Sequence, residues 1–193
     1  MEVQAKPSSP APTQHSLTRM NMDFDDQWRS WNVPPEFLEE KAAWLKQERN
    51  LQSKSYNFFD QAGTLVSFSR FSYPLASVAF FHAIPGLECA LKLHYRDEEA
   101  YLSDLLRRAV EEKVVLDRAF ADPHPFTDWF YQAYQKLIKE HCATNAELLA
   151  HLIPELRNQY FHGIYLLAPD YLHLTFQLRE FADALMTRRG IQA

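Results

Sequence analysis

The most regular apolar pattern in the chain lies in "DEEAYLSDLLRRAVEEKVV", where Leu102, Leu105, Leu106, Ala109 and Val110 recur. These positions step i, i+3, i+4, i+7 and i+8, so they line one side of a helix. Arg107, Arg108, Glu111 and Glu112 fall off that stripe and read as a solvated face. Upstream, "YPLASVAFFHAIPGLECALKLHY" is apolar almost throughout, from Tyr73 to Tyr95. Pro85-Gly86 within it predicts a kink or a break, hence a bent, hairpin-forming helix. A further helix is predicted from about Lys54 to Arg70, with Gly63 as its weak point. "WNVPPEFLEEKAAWLKQER" predicts a short helix: Pro34 and Pro35 stand where a helix start tolerates proline, and acidic residues fill the first turn.

Beyond the "ADPHPF" loop, a helix is predicted from near Thr127 to about His141, carrying Trp129, Phe130, Ala133, Leu137 and Ile138. Thr144 and Glu147 have the spacing of a capping box and predict the start of the next helix. Pro154 is expected to kink that helix or begin a new one, and Gly163 suits a left-handed C-cap. "APDYLHLTFQLREFADALMTRR" predicts a last helix stopped by Gly190. Residues 1–22, rich in Pro, Ser, Thr and Gln, read as a disordered tail. Residues 23–53 read as a helical appendage or linker and residues 54–193 as the main helical domain. The expected architecture is all-α, a bundle of four to five main helices with an N-terminal helical appendage.

Composition supports that class. Only four of 193 residues are glycine and strand-like alternation is scarce, while aromatics reach 14% and should supply much of the core. A net charge of −5 argues against a general nucleic-acid coat protein but leaves room for a small basic site. Cys89 and Cys142 lie far apart with no CxxC pair, so reduced cytosolic thiols are the expectation. No apolar run is expected to cross a bilayer, and the N-terminus lacks an apolar signal core, which together predict a cytoplasmic protein with no membrane association.

The chemistry-bearing stretch is "LRNQYFHG", residues 156–163. An arginine followed by a histidine four to six places later is weak by itself. Random placement of twelve arginines and eight histidines gives about one or two matches, and Arg118 with His124 is another, in a proline-rich loop. Requiring an asparagine directly after the arginine lowers the chance expectation to a few hundredths, which singles out Arg157, Asn158 and His162. Competing sites are poorer. His141-Cys142 with His151 lacks a fourth ligand at metal-site spacing. Phe80, Phe81, Trp129, Phe130, Tyr131 and Tyr134 are more simply core or dimer contacts than a base-stacking platform. Arg179, Arg188 and Arg189 on the last helix are candidates to touch a phosphate backbone, with solvated surface as the simpler role. No Walker loop, dinucleotide-binding glycine pattern or nucleophile elbow occurs, and neither a metal nor a cofactor is expected.

"ELRNQYFHG" followed by a final amphipathic helix resembles the motif segment of the HEPN superfamily. The upstream segment 73–115, with its "LECAL" run ahead of an amphipathic helix, is similar to the first half of such domains. The resemblance spans roughly residues 55 to 190, and its specific part is the eight-residue motif. It implies a helical bundle, usually a homodimer, often a metal-independent endoribonuclease with Arg157, Asn158 and His162 as its active site. It also implies an RNA substrate, a setting in toxin–antitoxin or anti-phage defence, and an antitoxin or defence partner protein. A subgroup carries a tyrosine two residues after the histidine. Ile164 stands there in this chain, with Tyr165 one place late.

The residue types fit metal-free RNA cleavage. His162 titrates near neutrality and is the member of the trio suited to proton transfer. Arg157 stays charged and presents a planar fork to phosphate oxygens, and Asn158 can orient through its amide. Five residues on an ideal helix put two side chains about 140° apart. Either the helix ends before His162 or two subunits share the site across a twofold axis. A plainer reading stands beside this one, with Arg157 paired to Glu155 or Asp170 and His162 capping the helix. A noncatalytic HEPN-like module that binds a protein partner or a nucleotide is the alternative function.

Overall fold

The computed structural model describes residues 24–30, 32–48, 51–115, 144–161 and 170–192. Seven helices and no strand occur among them: α1 (Asp26–Ser30), α2 (Pro35–Leu45), α3 (Ser53–Ser69), α4 (Pro74–Tyr95), α5 (Leu102–Glu111), α6 (Asn145–Phe161) and α7 (Asp170–Gln192). The chain is all-α. Helix α4 is the hub, packed against α3 and α7, with α2 laid on α3 and the α5–α6 pair joining it. The helix expected over 127–141 and the C-cap expected at Gly163 lie outside the described residues.

Helix α4 runs unbroken through Pro85-Gly86, against the expected break. Interior proline costs about 3 kcal/mol. Phe80, Ile84, Leu87 and Leu91 on the same helix are all buried, and each contributes about 1.5–3 kcal/mol, so burial outweighs the lost backbone bond. Gly86 lets α3 approach: a Cβ there would sit 2.9 Å from Phe59 Cε2. The Ser55 hydroxyl donates to the Gly86 carbonyl at 2.7 Å. By length and composition α4 is apolar enough to cross a membrane, but those side chains are spent on the core. Gly63 has a similar explanation, since a Cβ would meet the Ala42 carbonyl oxygen and Lys46 Cγ at 2.9 Å each. What looked like a weak point is the place where α2 crosses α3 closely.

The described residues between 24 and 48 contribute to the core of the bundle. Trp28 is wholly buried, donates its indole N–H to the Ser69 carbonyl at 2.6 Å and meets Tyr73 edge to face at 4.9 Å. Leu38 and Leu45 of α2 belong to the same core. Helix α6 begins at the predicted capping box. The Glu147 amide donates to Thr144 Oγ1 at 3.2 Å, and the Thr144 amide donates to Glu147 Oε2 at 3.0 Å. It then continues through Pro154 to Phe161 without a break. Helix α7 runs past Gly190 to Gln192 rather than stopping at the glycine.

Candidate functional site

The apolar stripe of α5 is buried at Leu102, Leu105, Leu106 and Ala109, against α6. Its outer face is laced by Arg107–Asp104 at 2.8 Å and Arg108–Glu112 at 2.7 Å, as a solvated face should be. The α5–α6 seam leaves an open depression of about 270 Å³ lined by Tyr101, Leu102, Ser103, Pro154, Arg157 and Asn158. Two of the three motif residues therefore share one concave surface. A larger depression of about 500 Å³ continues along the seam, past Arg107, Glu147 and His151, and shares Ser103 and Pro154 with the first. His162, the third motif residue, lies outside the described residues.

Arg157 is 40% exposed, and its Nη1 sits 3.3 Å from Glu88 Oε2 on α4. The other oxygen of Glu88 accepts from Lys92 Nζ at 3.1 Å. Glu88 is only 20% exposed, so one sheltered carboxylate is bracketed by two cations. That contact holds the Lys92 ammonium above the ordinary lysine range. Three residues later on α6, Tyr160 stacks on Phe81 at 4.0 Å with a 20° interplanar angle. These two side-chain contacts tie α6 to α4. The ring stack and the ion pair fix the rotation of α6, which turns Asn158 outward to solvent.

Glu88 and Lys92 lie outside the motif. Their i, i+4 spacing on a predicted helix was a signal, but nothing local tied them to Arg157. Glu88 also borders a third depression, of about 320 Å³, together with Lys54, Phe58, Pro85, Cys89 and Lys92. Burial pushes the Cys89 thiol up, which suits a quiet, half-buried side chain better than a nucleophile.

Arg179 corrects the expectation of a phosphate-binding surface cation. It is wholly buried. Its Nη1 donates to the Leu45 carbonyl at 2.6 Å, its Nη2 to the Gln47 carbonyl at 2.8 Å, and its Nε to Asp183 at 3.1 Å. The guanidinium also lies near the rings of Trp44 and Phe59. It closes the C-terminal end of α2, where helix carbonyls lack partners, and it cannot reach RNA. Arg188 and Arg189 lie near the end of α7, with their side chains outside the described residues.

No family model, curated protein or solved structure matches the chain.

Proposed function

We propose that the chain is a metal-independent endoribonuclease of the HEPN type, with Arg157, Asn158 and His162 as its reacting set. The observation that carries the reading is the depression shared by Arg157 and Asn158, with the Arg157 guanidinium held from α4 by Glu88. A positioned guanidinium is what a phosphodiester cleavage site needs before substrate arrives.

In this reading one imidazole removes the proton of the RNA 2′-hydroxyl and the 2′-oxygen attacks the neighbouring phosphorus. The P–O5′ bond breaks and the 5′-oxygen takes a proton, leaving a 2′,3′-cyclic phosphate. Arg157 holds the non-bridging oxygens as charge builds on them, and Asn158 orients the phosphate through its amide. An imidazole five places after Arg157 in helical register faces about 140° away. A twofold homodimer bringing two motifs to one cleft supplies both the missing geometry and a second imidazole as the acid. A setting in toxin–antitoxin or anti-phage defence, with an antitoxin or defence partner, follows from the motif resemblance.

A second reading has its own observation. The Arg157–Glu88 pair and the Tyr160–Phe81 stack make the motif segment a seam within one chain. That arrangement also suits a noncatalytic module that binds a protein partner or a nucleotide. The test is cleavage of RNA by the purified protein in EDTA. The endoribonuclease reading expects losses of about 10²–10⁴-fold for Arg157→Ala and for His162→Ala. Activity that survives both substitutions ends it, and a partner complex untouched by His162→Ala favours the module.

A further inference from the structure

We propose that Tyr101 is the base-stacking residue of this site, taking a nucleobase beside the phosphate that Arg157 holds. The inference rests on the endoribonuclease reading and names how that site engages its substrate. Tyr101 is 78% exposed, the most exposed large hydrophobic side chain among the described residues. By contrast, Tyr73 and Tyr171 are buried and Tyr160 is covered by its stack on Phe81. An exposed aromatic ring calls for an explanation when it lines the same depression as two polar residues of a candidate site.

The backbone under the ring is firmly held. Tyr101 precedes α5 in an extended conformation, and its carbonyl accepts from the Asp104 and Leu105 amides at 3.1 Å each. The Ala100 amide donates to Asp97 Oδ1 at 3.1 Å, and the next residue, Leu102, is anchored in the core. The ring is thus presented from a fixed base, which lowers the entropy cost of stacking.

The depression has the right size and chemistry. At about 270 Å³ it falls below the roughly 300–1,000 Å³ of pockets for drug-sized ligands, so it suits one planar group. Leu102 and Pro154 give it apolar surface, while Ser103 and Asn158 offer hydrogen bonds to a base edge. Charge sets the polarity of the bound strand. Asp97, Glu98 and Glu99 precede Tyr101 directly in sequence and disfavour phosphates beside it, whereas the Arg157 guanidinium attracts them. A base therefore points to Tyr101 while the backbone keeps to the Arg157 side. Stacking on an aromatic ring is tolerant of base identity, so the preference is for unpaired over duplex RNA.

The experiment compares the full chain with Tyr101→Ala and Tyr101→Phe on a single-stranded RNA whose cut site has been mapped. The same RNA with one abasic residue next to the cut is the second substrate, and binding is followed by anisotropy in parallel. Tyr101→Ala is expected to raise KM or Kd about 10- to 100-fold with a smaller change in kcat. Tyr101→Phe keeps the ring and stays near wild type. The abasic RNA should penalise wild type and leave Tyr101→Ala unaffected, with unchanged thermal melts. A Tyr101→Ala protein that cleaves and binds like wild type, or still senses the abasic site, overturns the inference while leaving the endoribonuclease reading standing. Tyr101-dependent cleavage that survives both Arg157→Ala and His162→Ala overturns that reading and leaves the stacking role supported.

Discussion

Glu88 Oε2 lies 3.3 Å from Arg157 Nη1, joining α4 to α6 across 69 residues of sequence. The same carboxylate engages Lys92, so its negative charge is shared between a helix neighbour and a residue of the motif. A partly exposed pair of this kind contributes about 0.2–1 kcal/mol to stability. Its weight falls on geometry instead. Glu88→Gln keeps the shape and removes the charge that orients the guanidinium. A side chain misplaced by about 1 Å can cost about 10²-fold in rate. The expected outcome is a 10- to 100-fold fall in kcat/KM for RNA cleavage with a melting temperature within a few degrees of wild type. Cleavage at the wild-type rate would show that Glu88 does not position Arg157.

Arg179 carries the opposite balance, since it is buried and its contacts are structural. Arg179→Met strips partners from the Leu45 and Gln47 carbonyls and leaves Asp183, only 19% exposed, without its cation. Removing one member of a buried pair costs about 3–5 kcal/mol. Arg179→Lys should recover little, because one ammonium cannot reproduce the planar fork. Urea unfolding monitored by circular dichroism measures both. Wild-type stability in Arg179→Met would refute the staple.

Thr144 and Glu147 exchange two hydrogen bonds at the start of α6, the helix that carries Arg157 and Asn158. Thr144→Ala removes one of them and should cost about 1 kcal/mol. Thr144→Ser, which keeps the hydroxyl, should cost less. Denaturant midpoints at unchanged m-value are the check.

His82 gives the fold a pH dependence. Its ring lies against Phe58 and meets Gln61, and burial lowers its pKa below the ordinary value of 6.5. The unfolded chain therefore binds a proton at a pH where the folded chain does not. The resulting stability is fully present above about pH 6.5 and is lost as pH falls through the depressed folded value. His82→Gln removes that contribution. The stability gap between wild type and variant should therefore shift in favour of the variant between pH 7.5 and 5. A gap independent of pH would contradict this.

Local signals carried well from sequence to structure. The α5 stripe and the Thr144–Glu147 box are set by residues within two turns of one another, and both appear where the pattern predicts. Longer-range effects were not legible. Pro85 reads as a breaker until Phe80, Ile84 and Leu87 are seen buried on both sides of it, and Gly63 reads as a defect until α2 lies on it. Arg179 looked like a surface cation because nothing nearby in sequence announces the α2 carbonyls it binds, more than 130 residues earlier. At the candidate site, Arg157 and Asn158 stand out by their spacing in one short motif. Glu88 and Lys92 became visible only when α4 and α6 were brought together.

The chemistry assigned to Arg157, Asn158 and His162 is tested most directly by a substrate lacking one atom. An RNA with a single 2′-deoxy residue on the 5′ side of the mapped cut cannot supply the attacking oxygen. Incubated with the wild-type protein in EDTA and read by mass spectrometry, the all-ribose RNA should yield a 2′,3′-cyclic phosphate end, and the modified bond should stay intact. Scission of the modified bond at the all-ribose rate would contradict the mechanism.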